Sequence, residues 1–234
     1  MELAKAKALV TGGSSGIGFE TARQLRARGA EVAICGRDEA RLSQAAAEIG
    51  ALAVVADVAV EADVIRLVRT VVEAFGDYDV LVNNAGFGHF APLVETRLAD
   101  MQSVYATNVF GAMMVARESA KHFIQQKRGS IINIASTAGQ RGFAGGTAYS
   151  SSKFALSSLT ECWRAELRQH NIRVMQVNPS EVQTEFVVNS GRPGRGISDR
   201  KLVSADIAHT ILAMLEMADR GFVTEATVWA TNPD

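Results

Sequence analysis

The stretch TGGSSGIG, residues Thr11–Gly18, joins a short apolar segment to a segment with helical spacing. Gly12, Gly16 and Gly18 give the pattern G-x-x-x-G-x-G, and glycines permit positive φ and close approach of a ligand to the backbone. A helix that begins here would offer free N–H groups and a partial positive charge to a pyrophosphate. The pattern alone fits an ordinary turn as well as a dinucleotide site. Its place in the first βαβ unit of the chain favours the second interpretation.

Outward from this turn, short β-branched segments alternate with longer amphipathic segments. The strand segments are apolar on both faces, which predicts an α/β domain with a parallel sheet covered on both sides. Strands are predicted at Ala6–Thr11, Glu31–Cys35, Leu52–Ala56, Val80–Asn83, Ser130–Ala135, Arg173–Asn178 and Thr227–Ala230. Helices are predicted at Ile17–Arg28, Glu39–Ile49, Glu61–Phe75, Leu98–Gln126, Thr147–His170 and Ala205–Ala218.

Composition bounds the class of protein. The chain has 234 residues, 47% of them hydrophobic, and 24 basic against 25 acidic side chains, so its formal net charge is −1. These values suit one soluble domain over residues 1–234 and argue against binding to nucleic acid or to an anionic membrane. No apolar run reaches the roughly 18 residues of a membrane span, and the N-terminus does not resemble a signal peptide. The four histidines show no metal-ligand spacing. We therefore expect a cytoplasmic protein without a metal site.

The end of the second predicted strand bears on the cofactor. An acidic residue that binds the ribose 2′-hydroxyl is usual there, but this chain has Gly36 followed by Arg37. A guanidinium at this position can pair with a 2′-phosphate, which favours NADP(H) over NAD(H); the alternative is a solvated surface cation. Asp38 either binds the ribose or, as we favour, caps the helix that begins at Glu39. Ser14 and Ser15 are further candidate phosphate donors.

Tyr149 and Lys153 stand four residues apart in AYSSSKFAL, at the start of a predicted helix. Residues at this spacing share one helix face at about 6 Å, and a neighbouring ammonium lowers the pKa of a phenol. Such a phenol can exchange a proton with a substrate oxygen, while a second donor holds that oxygen. Ser136, after a buried strand, would supply it at the carboxyl edge of the sheet. The three serines between Tyr149 and Lys153 are interpreted as small spacers without a catalytic role.

In order and spacing, these motifs resemble those of the classical short-chain dehydrogenase/reductase family, over nearly the whole chain. The resemblance rests on TGGSSGIG, Asp57, NNAG at Asn83–Gly86, Asn108, Ser136, Tyr149 and Lys153. It implies a Rossmann-type, doubly wound, seven-stranded parallel sheet with strand order 3-2-1-4-5-6-7.

The resemblance also implies roles for individual residues. Tyr149 would be the general acid/base, Ser136 would orient the substrate oxygen, Lys153 would bind the nicotinamide ribose, and Asn108 would hold a relay water. The implied cofactor-binding residues are Gly12, Ser14, Ser15, Gly16, Ile17, Gly18, Arg37, Asp57, Val58, Asn84, Ala85, Gly86, Tyr149, Lys153, Pro179, Val182 and Thr184. NNAG fits a turn that ties neighbouring strands equally well.

One position departs from the family pattern. Ser180 follows Pro179 where the family commonly has glycine, and Glu181 comes next. A side chain at residue 180 can alter the backbone path beside the nicotinamide, although Val182 and Thr184 would still be placed to hold the carboxamide.

The substrate pocket is expected to form after Gly86, after Ser136, and from a mobile loop at Glu185–Val203. Candidate lining residues are Phe87, His89, Phe90, Gln140, Phe143 and Phe186. Arg192, Arg195, Arg200 and Lys201 make the loop basic, which fits a solvated lid or attraction to a phosphorylated or carrier-bound substrate.

The resulting hypothesis is an oxidoreductase that transfers a hydride between NADP(H) and a small carbonyl or secondary-alcohol compound. The resemblance points to carbonyl reductases and 3-oxoacyl-carrier-protein reductases, and to a homodimer or homotetramer paired through the two long helices. The alternative is a non-catalytic dinucleotide-binding regulator on the same fold, and an isomerase or lyase of the extended branch of the family is disfavoured by chain length.

Overall fold

The computed structural model describes residues 1–186, 190 and 198–232. Its strands are β1 Lys7–Thr11, β2 Glu31–Gly36, β3 Leu52–Val55, β4 Val80–Asn83, β5 Gly129–Ile134, β6 Ile172–Pro179, β7 Val182–Gln183, β8 Leu202–Val203 and β9 Glu225–Val228. Its helices are α1 Gly16–Ala27, α2 Glu39–Ile49, α3 Glu61–Phe75, α4 Leu98–Tyr105, α5 Ala112–Gln126, α6 Thr147–Leu167 and α7 Ser204–Glu216.

Seven of these strands form one sheet in the order β3-β2-β1-β4-β5-β6-β9, and every pairing in it is parallel. The predicted Rossmann-type order is confirmed, with β9 as the seventh strand of the sheet. Because all strands run the same way, Thr11, Gly36, Asn83 and Pro179 end at one carboxyl edge, where open α/β sheets bind their ligands. β7 and β8 form a separate two-stranded pair that the sequence did not predict.

The structure differs from the prediction at the last strand and within the longest predicted helix. The last strand runs over Glu225–Val228, two residues earlier than predicted, and Val228 pairs with Pro179, the last residue of β6. The predicted helix Leu98–Gln126 is divided by a π-helical turn at Ala106–Gly111 between α4 and α5. The buried residues Val104 and Val109 stand five apart across this turn, because a π turn inserts a residue without ending the helix.

Two apolar layers cover the sheet. One packs α1, α2 and α7 against it, with Leu25, Leu42 and Ile211 fully buried. The other packs α3 and α5 around Val71 and Phe123. In the part of the chain that the structure describes, no helix has the length and apolar character needed to span a bilayer.

Candidate active site

The glycine turn is shaped for close approach of a ligand. Gly12 and Gly16 have φ of +62° and +56°, in the left-handed region that side chains disfavour. A Cβ on Gly18 would lie 2.4 Å from both the Asn84 Nδ2 and the Gly12 carbonyl oxygen. The turn leads directly into α1, whose first N–H groups therefore face the carboxyl edge. This arrangement fits the pyrophosphate of a dinucleotide.

The NNAG segment ties β4 to the glycine turn. The Asn84 amide donates to the carbonyl oxygens of Thr11 (3.0 Å) and Gly12 (3.1 Å). The Thr11 hydroxyl accepts from the backbone N–H groups of Asn84 and Ala85, both at 3.0 Å. The structural interpretation of this motif is therefore confirmed. Thr11 was missed as a site residue, and its place at the end of a buried strand was the available signal.

The residues predicted to bind adenosine lie at the ends of β2 and β3. The Arg37 guanidinium lies 3.9 Å from the Asp57 carboxylate, so the structure brings these two predicted residues together. Asp57 also accepts from the backbone N–H of Ala59 at 2.9 Å, and Val58 is buried beneath it. Asp38 accepts from the Arg41 N–H at 3.0 Å, which confirms it as the cap of α2.

Ser136, Tyr149 and Lys153 meet at the carboxyl edge beside β5. Ser136 begins a 3-10 turn after β5, while Tyr149 and Lys153 lie in the first two turns of α6. The Ser136 hydroxyl accepts from the Ala138 N–H at 3.1 Å and lies near enough to the Tyr149 hydroxyl to affect its pKa. The Lys153 ammonium donates to the Ile134 carbonyl oxygen at 2.8 Å and lies 5.8 Å from the centre of the Tyr149 ring.

The expected lowering of the tyrosine pKa is wrong for this structure. Burial raises the pKa of Tyr149 to about 12, because desolvation of the phenolate outweighs the hydrogen bond with Ser136, which lowers it. Burial also lowers the pKa of Lys153 to about 8. A pKa of about 8 still leaves Lys153 mostly protonated at neutral pH. At neutral pH the phenol keeps its proton, as a proton donor requires.

Asn108 lies in the π-helical turn and is 1% exposed. Its amide nitrogen donates to the Phe87 carbonyl (2.9 Å) and to the Ser152 hydroxyl (3.0 Å). Its side-chain oxygen accepts from the Phe87 N–H at 3.0 Å. Both amide hydrogens are thus used within the protein, so a relay through Asn108 would involve its oxygen atoms.

Aromatic side chains surround Tyr149. The ring centre of Phe90 lies 5.4 Å from that of Tyr149, and the ring centre of Phe186 lies 5.3 Å from it. Phe143 adds a third ring, 6.0 Å from Phe90. Gly88 makes room for this wall, because a Cβ there would lie 2.7 Å from the Phe90 ring. Three of the predicted pocket residues are therefore brought together at the phenol.

The other predicted pocket residues have partners elsewhere in the protein. The Gln140 amide donates to Glu225 at 2.8 Å and to Thr227 at 3.0 Å, both in β9. The His89 Nε2 lies 3.5 Å from the Asp100 carboxylate in α4. Phe87 contributes the two backbone groups that hold Asn108.

The segment after β6 crosses the glycine turn. A Cβ on Gly16 would lie 3.5 Å from the Thr184 methyl group, and Glu185 pairs with Arg41 of α2. Glu181 is exposed and lies 3.4 Å from Lys201, which places it at the surface. In the predicted loop at 185–203, residues 187–189 and 191–197, which include Arg192 and Arg195, lie outside the described residues.

A family model described as "short chain dehydrogenase" matches residues 6–193. The chain belongs to the short chain dehydrogenase family. An uncharacterized oxidoreductase of Staphylococcus saprophyticus is 34% identical over 234 residues, which cover 97% of this chain and 98% of that protein. The family assignment makes this chain an oxidoreductase of the dehydrogenase/reductase type.

Two solved structures share the fold over almost all of both chains. A metagenomic short-chain oxidoreductase in complex with NADP is 33% identical, with a TM-score of 0.86 and coverage of 99% of this chain and 100% of that chain. A 3-ketoacyl-(acyl-carrier-protein) reductase from Brucella melitensis, complexed with NADH, is 28% identical, with a TM-score of 0.88 and 98% coverage of both chains. Relatives of this chain thus bind either form of the cofactor.

Proposed function

We propose that the protein transfers a hydride between NADP(H) and the carbon of a ketone, aldehyde or secondary alcohol. One observation carries the proposal: Ser136, Tyr149 and Lys153 meet at the carboxyl edge of the sheet. A regulator that only binds a dinucleotide needs the glycine turn but has no use for a half-buried phenol near a second hydroxyl.

The chain's own residues divide the work between binding and proton transfer. The bound nicotinamide supplies or accepts the hydride. Gly12, Gly16 and Gly18 admit the pyrophosphate to the end of α1, and Arg37 pairs with the 2′-phosphate. Ser136 donates to the substrate oxygen and holds it beside the Tyr149 hydroxyl.

Proton transfer takes place at the Tyr149 hydroxyl. In reduction the phenol gives its proton to the substrate oxygen, and in oxidation the phenolate takes it back. A positive charge on Lys153 lowers the cost of the phenolate at that moment. Asn108, held by Phe87 and Ser152, keeps an acceptor oxygen near the lysine for proton exchange with solvent.

The wall of Phe90, Phe143 and Phe186 favours a carbonyl compound with an apolar substituent over a sugar or a charged acid. A fatty or polyketide 3-oxoacyl thioester and a simple aryl or alicyclic ketone both meet this description. As in related chains, we expect the working unit to be a homodimer or homotetramer.

The test is a screen for oxidation of NADPH, with NADH in parallel, over ketones, aldehydes and 3-oxoacyl thioesters. We expect turnover of apolar ketones or thioesters with NADPH, and little turnover of sugars or keto acids. Binding of NADPH without turnover of any carbonyl or alcohol would instead support the regulator. Turnover confined to charged substrates would refute the assignment of the aromatic wall.

A further inference from the structure

Three serines, Ser150, Ser151 and Ser152, separate Tyr149 from Lys153, and their hydroxyl groups have different partners in the structure. We propose that Ser150 and Ser152 are positioning residues for the reaction, contrary to their interpretation as spacers. Ser152 fixes the amide of Asn108, and Ser150 fixes the turn that carries Ser136. The inference rests on the proposed function, since it assigns these serines to the same catalytic group.

Ser152 is fully buried and links α6 to the π-helical turn. Its hydroxyl donates to the Tyr149 carbonyl oxygen at 2.7 Å and accepts from the Asn108 amide at 3.0 Å. The first bond orients the hydroxyl, so that its lone pair faces Asn108. Without the serine oxygen, one buried amide hydrogen of Asn108 loses its partner, and only the two bonds with Phe87 still hold the amide.

Ser150 joins α6 to the 3-10 turn that follows Ser136. Its hydroxyl donates to the Ala138 carbonyl oxygen at 2.6 Å, and the Ala138 N–H donates to the Ser136 hydroxyl at 3.1 Å. One residue of the turn is thus bound both to α6 and to the side chain that orients the substrate. Gly139 lets the turn approach closely, because a Cβ there would lie 2.9 Å from the Lys153 backbone.

Ser151 provides the matched control. Its hydroxyl donates only to the Thr147 (2.6 Å) and Ala148 (3.2 Å) carbonyl oxygens within α6, among the bonds of the described residues. It has the same chemistry and helix propensity as its neighbours, but within the described part of the chain its hydroxyl bonds only inside α6. A general effect of removing a hydroxyl from this helix would therefore appear in Ser151→Ala as well.

The experiment compares Ser150→Ala, Ser151→Ala and Ser152→Ala on a ketone that the wild type reduces. We expect kcat to fall about tenfold for Ser150→Ala and Ser152→Ala, with the KM for NADPH unchanged, and Ser151→Ala to match the wild type. Equal kcat values for all three variants would overturn the proposal.

A double variant tests whether Ser152 acts through Asn108. We expect Ser152→Ala to lower kcat no further once Asn108→Ala is present, and the two substitutions to be non-additive in the free energy of unfolding. Additive effects in both measurements would refute the link. The unfolding measurement needs no turnover, so failure to find any substrate would count against the proposed function while the Ser152–Asn108 link is still tested.

Discussion

The two ends of the cleft are built in different ways. At the end that holds Tyr149, Lys153 is 5% exposed and Asn108 is 1% exposed, and buried hydrogen bonds hold both. At the end that holds Arg37, the Arg37 side chain is 68% exposed and lies 3.9 Å from Asp57 in solvent. Exposed ion pairs contribute roughly 0–1 kcal/mol, whereas buried unsatisfied groups cost more. In the proposed function, the buried end therefore holds its groups in fixed geometry, while the exposed end would select the cofactor through side chains that rearrange at little cost.

Tyr149→Phe tests the buried end and has the largest expected effect. It removes the proton donor but keeps the ring that packs on Phe90 and Phe186. We expect kcat for carbonyl reduction to fall about a thousandfold, with the dissociation constant for NADPH nearly unchanged. Initial rates and a fluorescence titration of the reduced cofactor measure the two quantities.

Tyr105→Phe is the matched control, because Tyr105 lies in α4, where it contacts Phe110. It should retain wild-type turnover. Undiminished turnover in Tyr149→Phe would refute the acid/base role of Tyr149. It would also refute the assignment of proton transfer to the buried end of the cleft.

Lys153→Met tests how much the burial of the Lys153 ammonium lowers the free energy of unfolding. The measurement needs no turnover. The pKa of Lys153 is lowered by burial to about 8 from 10.5, so the unfolded chain binds more protons between these values. The penalty for burying the ammonium is complete below about pH 8 and vanishes above about pH 10.5. We expect the variant to exceed the wild type in free energy of unfolding by about 2 kcal/mol at neutral pH, after the lost bond to Ile134 is deducted.

Denaturant unfolding at several pH values measures this difference, which should narrow as the pH rises through the window. Lys121→Met, at a lysine whose side chain is 62% exposed, is the control for removing an ammonium group from the surface. A difference that stays constant with pH would mean that Lys153 does not titrate in this range.

The sequence was sufficient for the sheet and for bringing the predicted site residues together. The family resemblance implied the strand order, and Ser136, Tyr149 and Lys153 meet because strand ends and helix starts share the carboxyl edge. Alternating apolar segments predicted the strands and helices, whereas their order came from the motifs that carry the resemblance.

What depended on local geometry could not be predicted. The π-helical turn that buries Asn108 shows in the sequence only as irregular apolar spacing within one predicted helix, and the direction of the Tyr149 pKa shift depends on how far desolvation exceeds the nearby charge. The separate partners of Ser150, Ser151 and Ser152 likewise follow from which element packs on each side of α6. The turn, the pKa shift and the serine partners all depend on how neighbouring elements pack and on the balance between desolvation and charge. Residue identity alone does not reveal either.

Arg37→Ala tests the exposed end and has the smallest expected effect. A 2′-phosphate offers two charges and several acceptor oxygens, so it can draw the guanidinium from a single carboxylate 3.9 Å away. We expect the dissociation constant for NADPH to rise about tenfold and that for NADH to change little, with the NADPH effect shrinking at high salt. Arg69→Ala removes a guanidinium of nearly equal exposure, 67%, from α3 and should alter neither constant. Equal losses for both cofactors would mean that Arg37 acts through Asp57 on the shared adenosine, in which case the exposed end discriminates by some other group.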